Sequence, residues 1–137
     1  MIETIPTADG RIIGFSIDGT IDEADIKRIT DEVMQRLTTH DRLRLYAEVK
    51  DWTGITPKAL FDDVKFALQH FRDFEREAIV SDKAWLNTMA KAGDRLFPSI
   101  EVKHFGWDER AAALTWVEES LDTTTHDGSL DDRATTM

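Results

Sequence analysis

The sequence has no cysteine, a shortage of basic residues and no long apolar run, and each absence excludes a class of protein. Without cysteine the chain forms no disulfide and no zinc–thiolate centre, and it carries no thiol nucleophile. Lys and Arg number 17 against 27 Asp and Glu, and the net charge of −10 repels nucleic-acid phosphates and anionic lipid headgroups. No stretch approaches the roughly 20 apolar residues of a membrane span, and the first residues do not resemble a secretion signal. We therefore expect a cytoplasmic protein that neither binds nucleic acid nor spans a membrane.

Motifs of catalysis and metal binding are also missing. The histidines never pair at HxxxH or HxH spacing, which argues against a histidine-based metal site. The chain has no glycine-rich phosphate loop and no serine flanked by the glycines of a nucleophile elbow. The adjacent carboxylates Asp62 and Asp63 diverge on a helix, so a paired-carboxylate mechanism needs a distant partner. We expect no enzymatic activity, no cofactor and no bound metal.

What the chain does contain is enough apolar surface for one hydrophobic core. Its 137 residues are 41% hydrophobic and include four tryptophans and seven phenylalanines. Residues 120–137 are rich in Thr, Asp and Gly, and their few apolar side chains do not offset the entropy of ordering them. The composition predicts a single domain over residues 1–119 and a flexible acidic tail over 120–137.

The apolar pattern alternates between a strand period of two and a helical period of 3.6. It predicts the order ββαβαβαβα, an α/β fold with a mostly parallel sheet that begins with an antiparallel hairpin. The predicted elements are strands at 2–5, 11–18, 43–50, 74–81 and 100–105, and helices at 21–38, from Pro57 to Phe71, at 85–97 and from Asp108. Thr20 with Glu23, Thr56 and Asp108 have the spacing of helix caps.

The alternation of polar and apolar residues in the third and fifth strands predicts which sheet faces are covered. A sheet with helices on both faces reads as continuous apolar runs, whereas residues 43–50 alternate strictly. We therefore expect the helices mainly on one face. The opposite face should then be a solvated or shallow contact surface that carries Tyr46, Glu48, Glu101 and Lys103.

The segment from Trp85 to Phe105 and the alanine-rich helix that ends at Trp116 resemble the SpoIIAA-like family, also described as STAS/SEC14-like. This family is related to the anti-sigma factor antagonists, and the resemblance extends over about residues 1–119. It implies the same α/β fold and a regulatory or protein-interaction module. The SEC14-like relationship implies an alternative, a binder of a small apolar ligand or lipid.

In the phosphorylated antagonists, the strand that corresponds to 43–50 is followed by Asp-Ser-Ser-Gly, whose second serine accepts a phosphate. By resemblance, residues 51–54 of this chain, Asp-Trp-Thr-Gly, occupy that place, and Thr53 matches the phosphoacceptor. A tryptophan replaces the first serine here, and Pro57 indicates that the helix begins later. Thr53 and Thr56 are therefore candidate phosphoacceptors, and the other interpretation is that both hydroxyls cap turns and backbone amides.

Aromatic residues supply the remaining candidates for contact with a ligand or partner. Trp52 either covers the helix ends or anchors a partner, and together with three other aromatics it could line a pocket at the carboxyl ends of the strands. The other three are Trp85, Phe97 and Phe105. In the second helix, Leu60, Phe61, Val64, Leu68 and Phe71 form one apolar stripe, which we expect to face the core. Phe66 lies almost opposite that stripe, so it is predicted to be a contact in a homodimer.

Overall fold

A computed structural model describes residues 1–96, 99–119 and 121 of the chain. The elements follow the predicted order ββαβαβαβα. They are β1 (Ile2–Ile5), β2 (Ile12–Ile21), α1 (Glu23–Leu37), β3 (Leu43–Ile55), α2 (Pro57–His70), β4 (Phe74–Val80), α3 (Ala84–Leu96), β5 (Glu101–Phe105) and α4 (Arg110–Glu118).

The strands form one sheet in the order β1-β2-β3-β4-β5. β1 pairs antiparallel with β2, and every later pairing is parallel. Parallel neighbours need a crossover connection, and α1, α2 and α3 supply the three crossovers. The predicted fold class, an α/β domain with a mostly parallel sheet and an N-terminal hairpin, is therefore confirmed.

Two apolar cores lie on opposite faces of the sheet. Successive strand residues point to opposite faces, so Ile13 joins the core beneath α1 and α2 while its neighbour Ile12 joins the core beneath α4. Leu86 and Ala90 place α3 on the same face as α1 and α2, because both border a cavity there together with Val33 of α1. Three helices therefore cover one face, as expected, and α4 covers part of the other.

The expectation that the opposite face is solvated is wrong for Tyr46. Its side chain is 0% exposed and packs in the α4 core, and its hydroxyl donates a hydrogen bond of 2.6 Å to Glu48. Burial raises the pKa of Tyr46 above its ordinary value, and the nearby Glu48 carboxylate adds to this effect. Glu101 and Lys103 are exposed as expected. An amphipathic tyrosine looks polar in the strand pattern but buries its ring.

Arg44 shows how the same face tolerates a charged residue under a helix. The side chain is buried, and its guanidinium donates to the carbonyl oxygen of Val117 at 2.9 Å and also to that of Glu119. Its Nε lies 3.0 Å from the Glu75 carboxylate. Arg44 therefore satisfies the carbonyls at the C-terminal end of α4, which would otherwise lack partners.

Two of the predicted helix caps are wrong and one is confirmed. β2 continues to Ile21, so Asp22 and not Thr20 caps α1 and forms the capping box with Asp25. A short 3-10 turn at Trp107–Glu109 precedes α4, so Asp108 does not cap that helix. Thr56 caps α2 as predicted, since its hydroxyl accepts from the Ala59 amide at 3.2 Å.

Candidate functional site

The outward side of α2 carries an apolar stripe that is open to water. Its members are spaced at helical intervals, and roughly half or more of each is exposed, up to 66% for Phe61. The stripe, here called the outer face of α2, consists of Leu60, Phe61, Val64 and Leu68. Large apolar side chains exposed singly are common, but four on adjacent turns form a patch of the kind that marks an interaction site.

The side of α2 that faces the core is the reverse of the sequence expectation, although Phe71, just after the helix, packs against the first core as expected. Phe66 is partly buried, packs against the first core and stacks on His70 with ring centroids 4.5 Å apart. The expectation that Phe66 points away from the core is therefore wrong, and so is its use as an exposed dimer anchor. The helix has apolar residues on both sides. Periodicity alone therefore predicts that the side with more apolar residues faces the core. Fully buried Ala59 marks the side that meets the sheet.

Two adjoining cavities lie between the sheet and helices α1 to α3. Their volumes are about 280 Å³ and 360 Å³, and both are bordered by Leu45, Ile79 and Leu86. Isoleucine, leucine, valine, alanine, phenylalanine and tryptophan side chains form nearly the whole lining. We refer to the two together as the α2 cavity.

Two carboxyl groups, Asp63 of α2 and Glu77 of β4, also border both parts of the α2 cavity. Glu77 lies deep beneath the helices but is only half-buried, because the cavity admits water. Burial raises the pKa of Glu77 to about 7, and the charge of Asp63 contributes. Asp63 is exposed to water on one side, and partial desolvation by the protein on its other side raises its pKa as well. The sequence analysis did not predict a role for Glu77. Its position could have indicated one, because Glu77 and Ile79 are two residues apart in a strand and therefore lie on the same face of the sheet.

The segment that resembles the phosphoacceptor loop is the end of β3 in this protein. β3 continues to Ile55, and its register with β2 shifts before the Asp18–Asp51 pair and again after the Gly19–Trp52 pair. Gly54 has φ +141°, a conformation that only glycine adopts readily. This irregular pairing brings the Thr53 hydroxyl to 2.7 Å from the Thr20 hydroxyl at an exposed site.

The two candidate phosphoacceptors have different surroundings. Thr53 is exposed and lies in β3, four residues before α2 begins at Pro57. The Thr56 hydroxyl caps α2 and donates a hydrogen bond of 2.6 Å to Glu23. The capping interpretation therefore describes Thr56 well, and phosphorylation at either residue remains a prediction.

Of the four aromatics expected to line one pocket, the two whose side chains the structure describes, Trp52 and Phe105, lie in different cores. Trp52 is partly buried, packs against the first core and borders the α2 cavity. Phe105 lies in the α4 core, with its ring centroid 5.9 Å from that of Trp116. Trp85 belongs to α3, but its side chain lies outside the described part of the structure, as does Phe97.

Within residues 1–96, 99–119 and 121, no group of three or more His, Cys, Asp or Glu side chains is placed to hold a metal ion. Among the helices that the structure describes, none is long and apolar enough to cross a bilayer. The predicted tail over 120–137 lies outside the described residues except for Leu121, which is buried in the α4 core.

The sheet order and the placement of the helices define a small α/β domain with a mostly parallel sheet. The model of the SpoIIAA-like family matches residues 12–118, and the chain belongs to this family. A solved structure with a SpoIIAA-like fold, an uncharacterised DUF3478-family protein from Shewanella loihica PV-4, is similar with a TM-score of 0.68. The two share 18% identity, and the match covers 85% of this chain and 92% of the other. A comparison with curated proteins found no match.

Proposed function

We propose that this protein is a cytoplasmic, non-catalytic regulatory module that acts by protein–protein contact, and that the outer face of α2 is its contact surface. The observation that carries the proposal is the exposure of Leu60, Phe61, Val64 and Leu68 on one side of a single helix. Membership of the SpoIIAA-like family supports it, since such a module is what the family resemblance implies.

The surroundings of this face have the anatomy of a modest interface. Lys58 and Lys65 border the apolar stripe, and Lys58 pairs with Asp62 at 3.2 Å. An apolar centre with a polar rim is the usual arrangement at protein contacts. Lys58 and Lys65 place positive charge beside the stripe of a chain whose net charge is −10, and this reduces the repulsion between two copies there.

The occupant we propose is a second copy of the chain. A helix face can be self-complementary across a two-fold axis, and the commonest oligomers are two-fold dimers. The four side chains would then meet their own counterparts and remove both stripes from water. The proposed dimer contact is thus the outer face of α2 and not Phe66, although both lie on the same helix.

The test is the solution mass of the wild type and of Val64→Asp, measured by light scattering after gel filtration at ~100 µM. A dimeric wild type and a monomeric Val64→Asp would support the proposal, because a charge at the centre of an apolar contact is costly to bury. Gln69→Asp is the matched control, since Gln69 is exposed on the same helix but outside the stripe. A monomeric wild type at ~100 µM would mean a contact weaker than about 5.5 kcal/mol and would overturn self-association. An equally dimeric Val64→Asp would place the interface elsewhere.

A second candidate function is the binding of a small apolar ligand, and the observation that favours it is the α2 cavity. Its two parts, of about 280 Å³ and 360 Å³, are comparable with the smaller pockets that hold ligands in proteins. The site differs from the predicted pocket because it lies beneath α2, and of the two expected lining residues whose side chains the structure describes, Trp52 borders it and Phe105 does not.

A further inference from the structure

The α2 cavity combines an apolar lining with two carboxyl groups that have no counter-charge. Among the described lining residues, Asp63 and Glu77 alone carry a charge, and the remaining side chains from α1, α2, α3 and the sheet are apolar. Within the part of the chain that the structure describes, neither carboxyl forms a hydrogen bond or an ion pair. Glu77 is partly buried and Asp63 is exposed, so both carboxyls are accessible to a ligand that carries the opposite charge.

We propose that the α2 cavity binds a hydrophobic amine, whose ammonium group lies between Asp63 and Glu77 and whose alkyl part fills the apolar space. This inference rests on the second proposed function, the binding of an apolar ligand, and adds the chemical class of that ligand. An ammonium group offers three donors and a positive charge, which is what two adjacent carboxylates lack.

The charge arrangement discriminates among three kinds of amphiphile. A fatty acid would bring a third carboxylate to a site that holds two and has no described cation, so it should be repelled. A neutral alcohol would fill the apolar space but form only a neutral hydrogen bond. A protonated amine alone favours the ionised form of both carboxyls, because an opposite charge nearby offsets the cost of their burial.

The position of the two acids also suits the entry of such a ligand. Asp63 lies where the cavity opens to water, and Glu77 lies deeper on β4. A cation attracted by the net charge of −10 would first meet Asp63 and then reach Glu77 as its alkyl part enters the cavity.

The test is isothermal titration calorimetry of the full chain with decylamine, decanol and decanoate, each kept below its micelle-forming concentration. Decylamine should bind at least about tenfold more tightly than decanol, and decanoate should bind most weakly of the three. Glu77→Gln and Asp63→Asn should each weaken decylamine binding by about tenfold or more and leave decanol binding within about threefold. Glu3→Gln is the matched control, because it removes one negative charge from an exposed strand position that does not border the cavity.

The outcomes separate this inference from the function on which it rests. Equal binding of decylamine and decanol would overturn the choice of an amine but leave an apolar-ligand site in place. An equal loss of decylamine binding in Glu3→Gln would assign the binding to general surface charge and would also overturn the inference. No binding of any of the three compounds would overturn both the amine inference and the apolar-ligand function.

Discussion

Asp63 of α2 and Glu77 of β4 border the same apolar cavity, and the charge of Asp63 adds to the burial that raises the pKa of Glu77 to about 7. An acidic group with a raised pKa is favoured in its protonated form in the folded protein. Its contribution to stability is complete below its ordinary pKa of 4.5 and is lost as the pH rises through 7. The shift of Asp63 acts in the same direction.

The first prediction is that Glu77→Gln stabilises the protein at pH 8 and has little effect near pH 4.5. The gain at pH 8 should be about 1 to 3 kcal/mol, because burial raises the pKa of Glu77 from 4.5 to about 7 and water in the cavity screens part of the cost of its charge. Urea unfolding at both pH values measures the difference. Glu3→Gln should change stability by less than about 0.5 kcal/mol at both pH values. The prediction is that the stability difference between Glu77→Gln and the wild type increases from pH 4.5 to pH 8. An equal difference at both pH values would contradict the burial of Glu77.

The second prediction concerns the empty space itself. Ala47 borders the cavity of about 280 Å³, so Ala47→Val should stabilise the protein by about 1 kcal/mol through added apolar burial in a strand. Ala78 is fully buried in the α4 core, where Ala78→Val should cost about 1 to 3 kcal/mol through overpacking. Thermal unfolding of both variants measures the contrast. The account of the cavity is wrong if the two substitutions destabilise the protein equally.

The third prediction concerns the buried arginine beneath α4. Arg44→Gln should cost about 3 to 5 kcal/mol, because it removes the ion pair with Glu75 and the donors to the carbonyls of Val117 and Glu119. Amide hydrogen exchange in α4 should accelerate in step with this loss. Lys27→Gln removes an exposed ion pair with Asp31 and should cost less than about 0.5 kcal/mol. Unchanged exchange in α4 would show that Arg44 does not anchor the helix.

The fourth prediction separates the structural role of Thr56 from its candidacy as a phosphoacceptor. Thr56→Ala should cost about 1 kcal/mol through loss of the α2 cap, and Thr56→Ser should restore most of it. Equilibrium unfolding in urea provides the comparison. Thr53→Ala should cost less, because the Thr53 hydroxyl is exposed and bonds only to that of Thr20 among the described residues. Equal costs for the two alanine variants would remove the distinction.

The order of the elements could be predicted from the sequence because each has a clear period and boundary residues. The cap at Thr56 and the alternation of residues 43–50 depend on neighbouring residues in the sequence, so a short stretch of sequence is enough to predict them. The orientation of α2 could not be predicted, because its apolar residues surround most of the helix. Ala59 is fully buried and Phe66 is partly buried, so the side of α2 with the narrower apolar stripe packs against the core.

The site was harder to predict than the fold for the same physical reason. Asp63 and Glu77 are far apart in sequence, and only the packing of α2 over β4 brings them to one cavity. The extension of β3 through Thr53 depends on pairing with β2 and on the unusual backbone of Gly54. Neither long-range pairing nor helix rotation is encoded in a short window of residues.

The central claim is that the outer face of α2 is covered by a second copy of the chain. Because the sequence has no cysteine, Leu68→Cys introduces the only thiol, and cysteine preserves a small apolar side chain at that position. The most direct measurement is the alkylation rate of this thiol at ~1 µM and ~100 µM protein, with Glu3→Cys as the exposed control. The account predicts that the rate for Leu68→Cys falls severalfold at the higher concentration, while the rate for Glu3→Cys stays constant. An unchanged rate for Leu68→Cys would contradict the claim.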